Sequence, residues 1–231
     1  MEEKENVALD TVPKIFWNAV NTRKNKTAMR EKDLGIWQSI SWREYGDKAK
    51  YVGLALNSLG LNKNDVVSIA SEGIPEWLFT DLGVICVGGI SSGVYTTDSS
   101  SQVEYLVNDS KTNFYFAENE EQLDKILEVR ENCPSLKKII IYDLEGLHDF
   151  SDPQVISFSE LIKLGESIDK NNPDLFESLM AKVSPEDIAI LVYTSGTTGP
   201  SKGAMISNKN IVYSINTGIN IFKPQENDEQ L

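Results

Sequence analysis

The residues best suited to chemistry lie together in one segment, Tyr193-Thr194-Ser195-Gly196-Thr197-Thr198-Gly199-Pro200-Ser201-Lys202-Gly203. Gly196, Gly199 and Gly203 let a backbone adopt positive φ and come close to a ligand. Successive N–H groups in such a turn can converge into a nest for an anion. Thr194, Ser195, Thr197 and Thr198 add neutral hydroxyl donors, and Lys202 adds a mobile point charge suited to phosphate oxygens. Pro200 restrains a loop that would otherwise lose much entropy on ordering. The segment follows an apolar run, Ile188 to Tyr193, that reads as a buried strand. The chemistry indicated is the holding of a polyphosphate rather than bond-breaking by a side chain.

Competing phosphate loops do not fit the spacing. A Walker A loop needs Gly, four residues, then Gly-Lys-Ser/Thr. Here Pro200 and Ser201 separate Gly199 from Lys202, and Gly203 follows the lysine where Ser or Thr would hold Mg²⁺. A dinucleotide Gly-x-Gly-x-x-Gly pattern is also missing from this loop. Nucleophilic catalysis has little material: there is one histidine, His148, in an acidic turn-like stretch, and two cysteines, Cys86 and Cys133, far apart. Neither a disulfide framework nor a metal site follows from that spacing. Asp98 and Asp109 read as turn or cap residues rather than metal ligands, and Trp17, Trp37, Trp42 and Trp77 as packing residues.

The elements around the loop alternate. Ser41 and Glu44 form a capping-box pattern, followed by Tyr45, Ala49, Val52, Leu56 and Leu59 on one helical face and by Gly60 at a C-cap position. Val66 to Ala70 reads as a buried strand. Pro75 opens a helix that runs to about Val87 and ends at Gly88-Gly89. Ile90 to Tyr95 is the next strand, and Ser101 with Glu104 is the expected capping box of the following helix. Phe114 to Ala117 and Lys137 to Tyr142 read as strands on either side of a helix over Asn119 to Arg130. Glu118 to Glu121 mark that helix's N-terminus, where the dipole favours acids. Short helices over Glu160 to Glu166 and Leu175 to Ala181, a turn at Ser184 to Asp187, and a helix over Lys209 to Ile221 complete the reading. Such alternation predicts an α/β fold with parallel sheet flanked by helices, and such sheets bind ligands at the carboxyl ends of their strands.

The 231 residues are enough to bury a core. With 40% hydrophobic and 25% charged residues the composition is that of an ordinary globular protein. A net charge of -13, from 35 acidic against 22 basic residues, opposes nucleic acid as a partner. The start, Met1-Glu2-Glu3-Lys4-Glu5, is acidic where a secretory signal is basic and then apolar, so the cytoplasm is the expected compartment. The most apolar region, Trp77 to Ile90, is interrupted by Asp81 and is too short for a bilayer span. No basic amphipathic helix supports peripheral membrane contact.

The loop over Tyr193 to Gly203 closely resembles the phosphate-binding signature of the adenylate-forming (AMP-binding) enzymes, which include acyl-CoA synthetases, luciferases and peptide-synthetase adenylation domains. Ala204 to Asn208 resembles the family's continuation, although many members carry Thr-His where Ser207-Asn208 stand. Ala28 to Lys32, Gly35 to Gln38, Ser41-Trp42, Gly93 to Thr97 and Tyr105 to Ser110 look like the beginning of long-chain fatty acyl-CoA synthetases.

The resemblance implies a fold and an activity. Residues 1–231 would form an incomplete N-terminal adenylation domain, the N-terminal portion of the family's large domain, with the phosphate loop at 193–203 and the C-terminal lid domain absent. The implied reaction joins a fatty acid to coenzyme A with ATP through an acyl adenylate, giving acyl-CoA, AMP and pyrophosphate. ATP, Mg²⁺ and coenzyme A are the implied cofactors and co-substrates, and a fatty acid or other carboxylic acid the implied substrate. ATP-phosphate contact is carried over to Thr194, Ser195, Gly196, Thr197, Thr198, Gly199 and Lys202. No catalytic residue is assigned. The family's adenine, ribose and metal ligands lie downstream, so this chain alone is expected to be inactive. Two alternatives stand beside this reading: a non-catalytic phosphate- or nucleotide-binding regulatory protein, and an adenylate-forming ligase for an aryl or short-chain acid.

Overall fold

A computed structural model describes residues 9–194, 200–225 and 228. The first helix, α1 (Val12–Arg23), begins at Thr11, whose hydroxyl accepts from the Lys14 N–H. It leads to β1 (Thr27–Asp33) and β2 (Ile36–Ser41), an antiparallel hairpin forming a sheet of its own. Leu34 and Gly35 turn it with φ of 45° and 85°, the conformation that matches the twist of paired strands. Ser41 then closes the capping box with Glu44 and starts α2 (Trp42–Ser58). Tyr45, Ala49, Val52 and Leu56 bury one face of that helix, and Gly60 takes a φ of 98° just beyond its end.

Alternation follows: β3 (Val66–Ala70), α3 (Pro75–Cys86), β4 (Ile90–Val94), α4 (Ser100–Ser110), β5 (Thr112–Ala117), α5 (Glu120–Val129) and β6 (Lys138–Ile141). Then come β7 (Val155–Ser157), α6 (Phe158–Asn171), α7 (Leu175–Met180), β8 (Ile188–Thr194), β9 (Lys202–Ser207) and α8 (Asn208–Phe222). The large sheet has seven strands in the order β7-β6-β5-β3-β4-β8-β9. All neighbours are parallel except β8 and β9.

Side chains alternate across the sheet with the pleat. Val67, Ile69, Phe114, Phe116 and Ile140 face α1, α2, α3, α6 and α7. Tyr115, Ala117, Ile139 and Ile141 face α4 and α5. Connections that step toward β9 use the first layer, and those that step toward β7 use the second, so every crossover keeps one hand. The first layer depends on glycines where helices touch. A Cβ on Gly53 would lie 2.7 Å from the Gly83 carbonyl oxygen, and one on Gly83 would lie 2.6 Å from that of Ala49. Gly165 of α6 lies against the Tyr51 backbone with no room for a Cβ.

Several expectations are corrected. The expected sheet is mostly parallel, but Lys202 to Ser207, read as no strand, form the antiparallel edge strand β9, since Gly203 hides the apolar run after it. The α4 capping box is Ser99 with Gln102, not Ser101 with Glu104. Ser99 has the extended backbone a cap requires (φ -75°, ψ 162°), whereas Ser101 already lies inside the first turn. A short strand, β7, precedes the helix expected over Glu160 to Glu166, and that helix, α6, starts at Phe158 under a Ser157–Glu160 capping box and runs to Asn171. Trp37 does not pack in the core; it is 54% exposed and lies under the Lys32 ammonium. Cys86 and Cys133 are buried free thiols, and His148 is exposed in a turn.

Candidate functional site

The sequence places the phosphate loop between β8 and β9, and the structure makes those two strands the limbs of a hairpin. Tyr193 pairs with Gly203 and Thr194 with Lys202, the last pair of the ladder. Thr194 and Lys202 are both exposed, and the Lys202 ammonium makes no hydrogen bond or ion pair with any described residue. Among the described residues this ammonium has no partner, and its residue pairs with Thr194 at the carboxyl end of a parallel strand. Ser195, Gly196, Thr197, Thr198 and Gly199 lie outside the described residues.

The hairpin runs past its neighbour. On the β4 side the register covers only Ser91↔Ile190 and Ser92↔Leu191, while β8 and β9 continue to Thr194↔Lys202. Side chains from α4 hold the overhanging part. The Tyr193 hydroxyl donates to Asp109 Oδ2 at 2.7 Å, and the Tyr105 hydroxyl donates to the Ser201 carbonyl at 2.8 Å. Burial, then the neighbouring Asp109 carboxylate, pushes the Tyr193 phenol well above its ordinary range and keeps it a donor. Its ring lies against Gly203, where a Cβ would sit 3.2 Å from the ring's Cζ. Asp109 thus has a partner across the fold that its sequence neighbourhood does not announce.

Beyond the hairpin, Asn208 is 1% exposed. Its Oδ1 accepts from the Val12 N–H at 3.1 Å and its Nδ2 donates to the Asp187 carbonyl at 3.1 Å. Asn208 is thus a structural tie between α1, α8 and the turn before β8.

A cleft of about 420 Å³ opens at the carboxyl ends of β3, β4 and β5, lined in part by Glu72, Thr96, Glu118 and Lys125. Its polar groups are mutually engaged. Glu118 Oε2 accepts from the Glu72 N–H, the Thr96 carbonyl accepts from Lys125 and Gln122, and Lys125 also pairs with Glu121. Carboxylates outnumber the single lysine there, which disfavours an anionic ligand in this cleft. Among the described residues no three His, Cys, Asp or Glu side chains converge to hold a metal, and no helix is long and apolar enough to cross a membrane.

Among the described residues, two buried side-chain polar atoms lack partners. Asp81 is half-buried as a residue, but its carboxyl turns inward and Oδ1 meets neither solvent nor a donor. Burial raises this carboxyl to about 6, against the pull of a hydrogen bond from Ser91. The Tyr115 hydroxyl on the opposite layer is likewise unpartnered. The one sequence signal for Asp81 is an acid interrupting an apolar run.

Comparison with known proteins gives the family and the fold. The pattern of the AMP-binding enzyme family matches residues 16–231. The chain belongs to that family. The long-chain-fatty-acid–CoA ligase ACSBG1 of Rattus norvegicus is 32% identical over 208 residues, covering 90% of this chain and 28% of the relative. ACSBG2 of Homo sapiens is 31% identical over 221 residues, covering 95% of this chain and 32% of the relative. This family member thus spans less than a third of the length of these curated relatives. Among solved structures, the anthranilate CoA ligase AuaEII in complex with anthranoyl-AMP has a TM-score of 0.76 at 26% identity, over 91% of this chain and 37% of that one. VinN in complex with 3-methylaspartate has a TM-score of 0.70 at 18% identity, over 94% of this chain and 53% of that one, a likeness of fold.

Proposed function

We propose that this chain supplies the ATP-phosphate hairpin and N-terminal scaffold of an acid–CoA ligase acting on long-chain fatty acids. The observation that carries the reading is the exposed Thr194–Lys202 pair closing the β8–β9 ladder at the carboxyl end of β8. In the proposed reaction a carboxylate oxygen attacks the α-phosphorus of ATP, the bond to the pyrophosphate oxygen breaks, and acyl adenylate forms. Coenzyme A thiolate then attacks the acyl carbon and AMP leaves. The role of Thr194, Lys202 and the intervening Ser195, Gly196, Thr197, Thr198 and Gly199 is to grip the β- and γ-phosphates. Donors aimed at the leaving pyrophosphate stabilise the charge that develops there. Mg²⁺ enters with ATP as its counter-ion. Coenzyme A and the acid are held by parts of the enzyme that the described residues do not supply. We therefore expect residues 1–231 by themselves to form no acyl adenylate.

Titration calorimetry of the chain with magnesium pyrophosphate tests the phosphate reading. Lys202→Ala is expected to weaken binding roughly tenfold, about 1.4 kcal/mol. Equal binding by both proteins, or none by either, refutes it. A second reading, a ligase for aryl acids, is favoured by the likeness to the anthranilate CoA ligase. Acyl-CoA formation by the full gene product from long-chain against aryl acids separates the two. A regulatory phosphate binder would instead hold MgATP tightly without forming adenylate.

A further inference from the structure

We propose that Tyr105 and Asp109 are positioning residues that hold the two limbs of the phosphate hairpin in register for its ligand. The inference deepens the phosphate reading above and rests on it. One side of the hairpin has lost its neighbouring strand: β4 pairs with β8 only through Ser91 and Ser92, yet β8 and β9 remain paired as far as Thr194 and Lys202. A two-stranded ribbon without a third strand is marginal by itself. Helix α4 replaces the missing strand with side chains.

Tyr105 and Asp109 are four residues apart on α4 and so share one face. Each grips a different limb. Asp109 accepts from Tyr193, the residue before Thr194 on β8, at 2.7 Å. Tyr105 donates to the carbonyl of Ser201, the residue before Lys202 on the other limb, at 2.8 Å. Both phosphate-facing residues are therefore one peptide from an anchored point. The anchor is firm: α4 has a complete capping box and buries Val103, Leu106 and Val107. Gly203 completes the arrangement, because a side chain there would press on the Tyr193 ring.

The physical consequence is pre-organisation. Limbs held at a set distance lose less entropy when a phosphate tail binds between Thr194 and Lys202, and that difference appears as affinity. Neither Tyr105 nor Asp109 need touch the ligand. Deleting either bond leaves both limbs present but frees one of them.

The test is calorimetric affinity for magnesium pyrophosphate, with melting followed in parallel, on the 231-residue chain carrying Tyr105→Phe, Asp109→Ala, Asp109→Asn or Lys202→Ala. Tyr105 is 36% exposed, so removing its hydroxyl spares the core. Tyr105→Phe and Asp109→Ala are each expected to weaken binding roughly three- to tenfold. Asp109→Asn keeps an oxygen that can accept from Tyr193 and is expected to restore affinity to within about twofold of the parent. A merely structural role would lower the melting temperature without that rescue pattern in affinity. The proposal is overturned if Tyr105→Phe and Asp109→Ala bind like the parent while Lys202→Ala does not, a result that leaves the phosphate reading standing. If the parent itself fails to bind, the phosphate reading falls and this inference with it.

Discussion

Asp81→Asn should make the protein less sensitive to pH in a calculable way. The Asp81 carboxyl titrates at about 6 in the folded chain against an ordinary 3.8, because burial penalises its charged form more than the Ser91 hydrogen bond favours it. The folded state thus holds this proton more tightly than the unfolded state. Between about pH 4 and 6 the native chain carries the extra proton, so this site's contribution to stability falls as pH rises through that window and is level above it. The full penalty is on the order of 3 kcal/mol, but part of it falls near the isoelectric point of about 4.6, where association intrudes. Between pH 5 and 8 the linkage relation leaves about 1.4 kcal/mol. Asparagine has the same shape and no charge, and any cost of its unpaired amide is constant with pH. Urea unfolding of parent and variant at each pH from 5 to 8 gives the assay: the stability of Asp81→Asn minus that of the parent should rise by about 1.4 kcal/mol across the range. A flat difference, or a carbon-13 carboxyl midpoint below pH 4.5 or so for residue 81, would refute the argument from burial.

The remaining predictions concern packing and buried ties. Gly165→Ala places a methyl against the Tyr51 backbone, which neither helix can vacate without shifting. A loss of about 3 kcal/mol in denaturant unfolding is expected, and a loss under 1 kcal/mol or so would show that α6 can move. Asn208→Ala strands the Val12 N–H and takes the side-chain donor from the Asp187 carbonyl, which keeps the backbone N–H of residue 208, for an expected loss of about 1–2 kcal/mol. Thermal melting of the variant at the parent's midpoint would contradict it. Lys202→Ala and the α4 variants are read by pyrophosphate affinity as stated above.

Much of the scaffold was legible because its signals are local. The Ser41–Glu44 capping box, Pro75 at a helix start, the acidic helix start at Glu118 to Glu121 and the isoleucines at 139–141 each report a conformation decided within a few residues, and each appears where expected. Alternation then implied a sheet with two helical layers. The strand order was not legible, since pairing is chosen among apolar strands of similar kind and depends on crossovers between distant segments. β9 escaped notice because Gly203 and Ser207 break its pattern, and its strand character comes from pairing with β8. At the site, residue types in the loop suggested phosphate chemistry without any coordinates.

What tertiary structure alone decided is the set of contacts that spans the chain. Asp109 meets Tyr193 across 84 positions, Tyr105 meets Ser201 across 96, and Val12 meets Asn208 across 196. Sequence determines which groups can donate, accept or carry charge. Only the folded chain determines which of them meet, because that depends on the sheet order bringing α4 beside the hairpin and α1 beside α8.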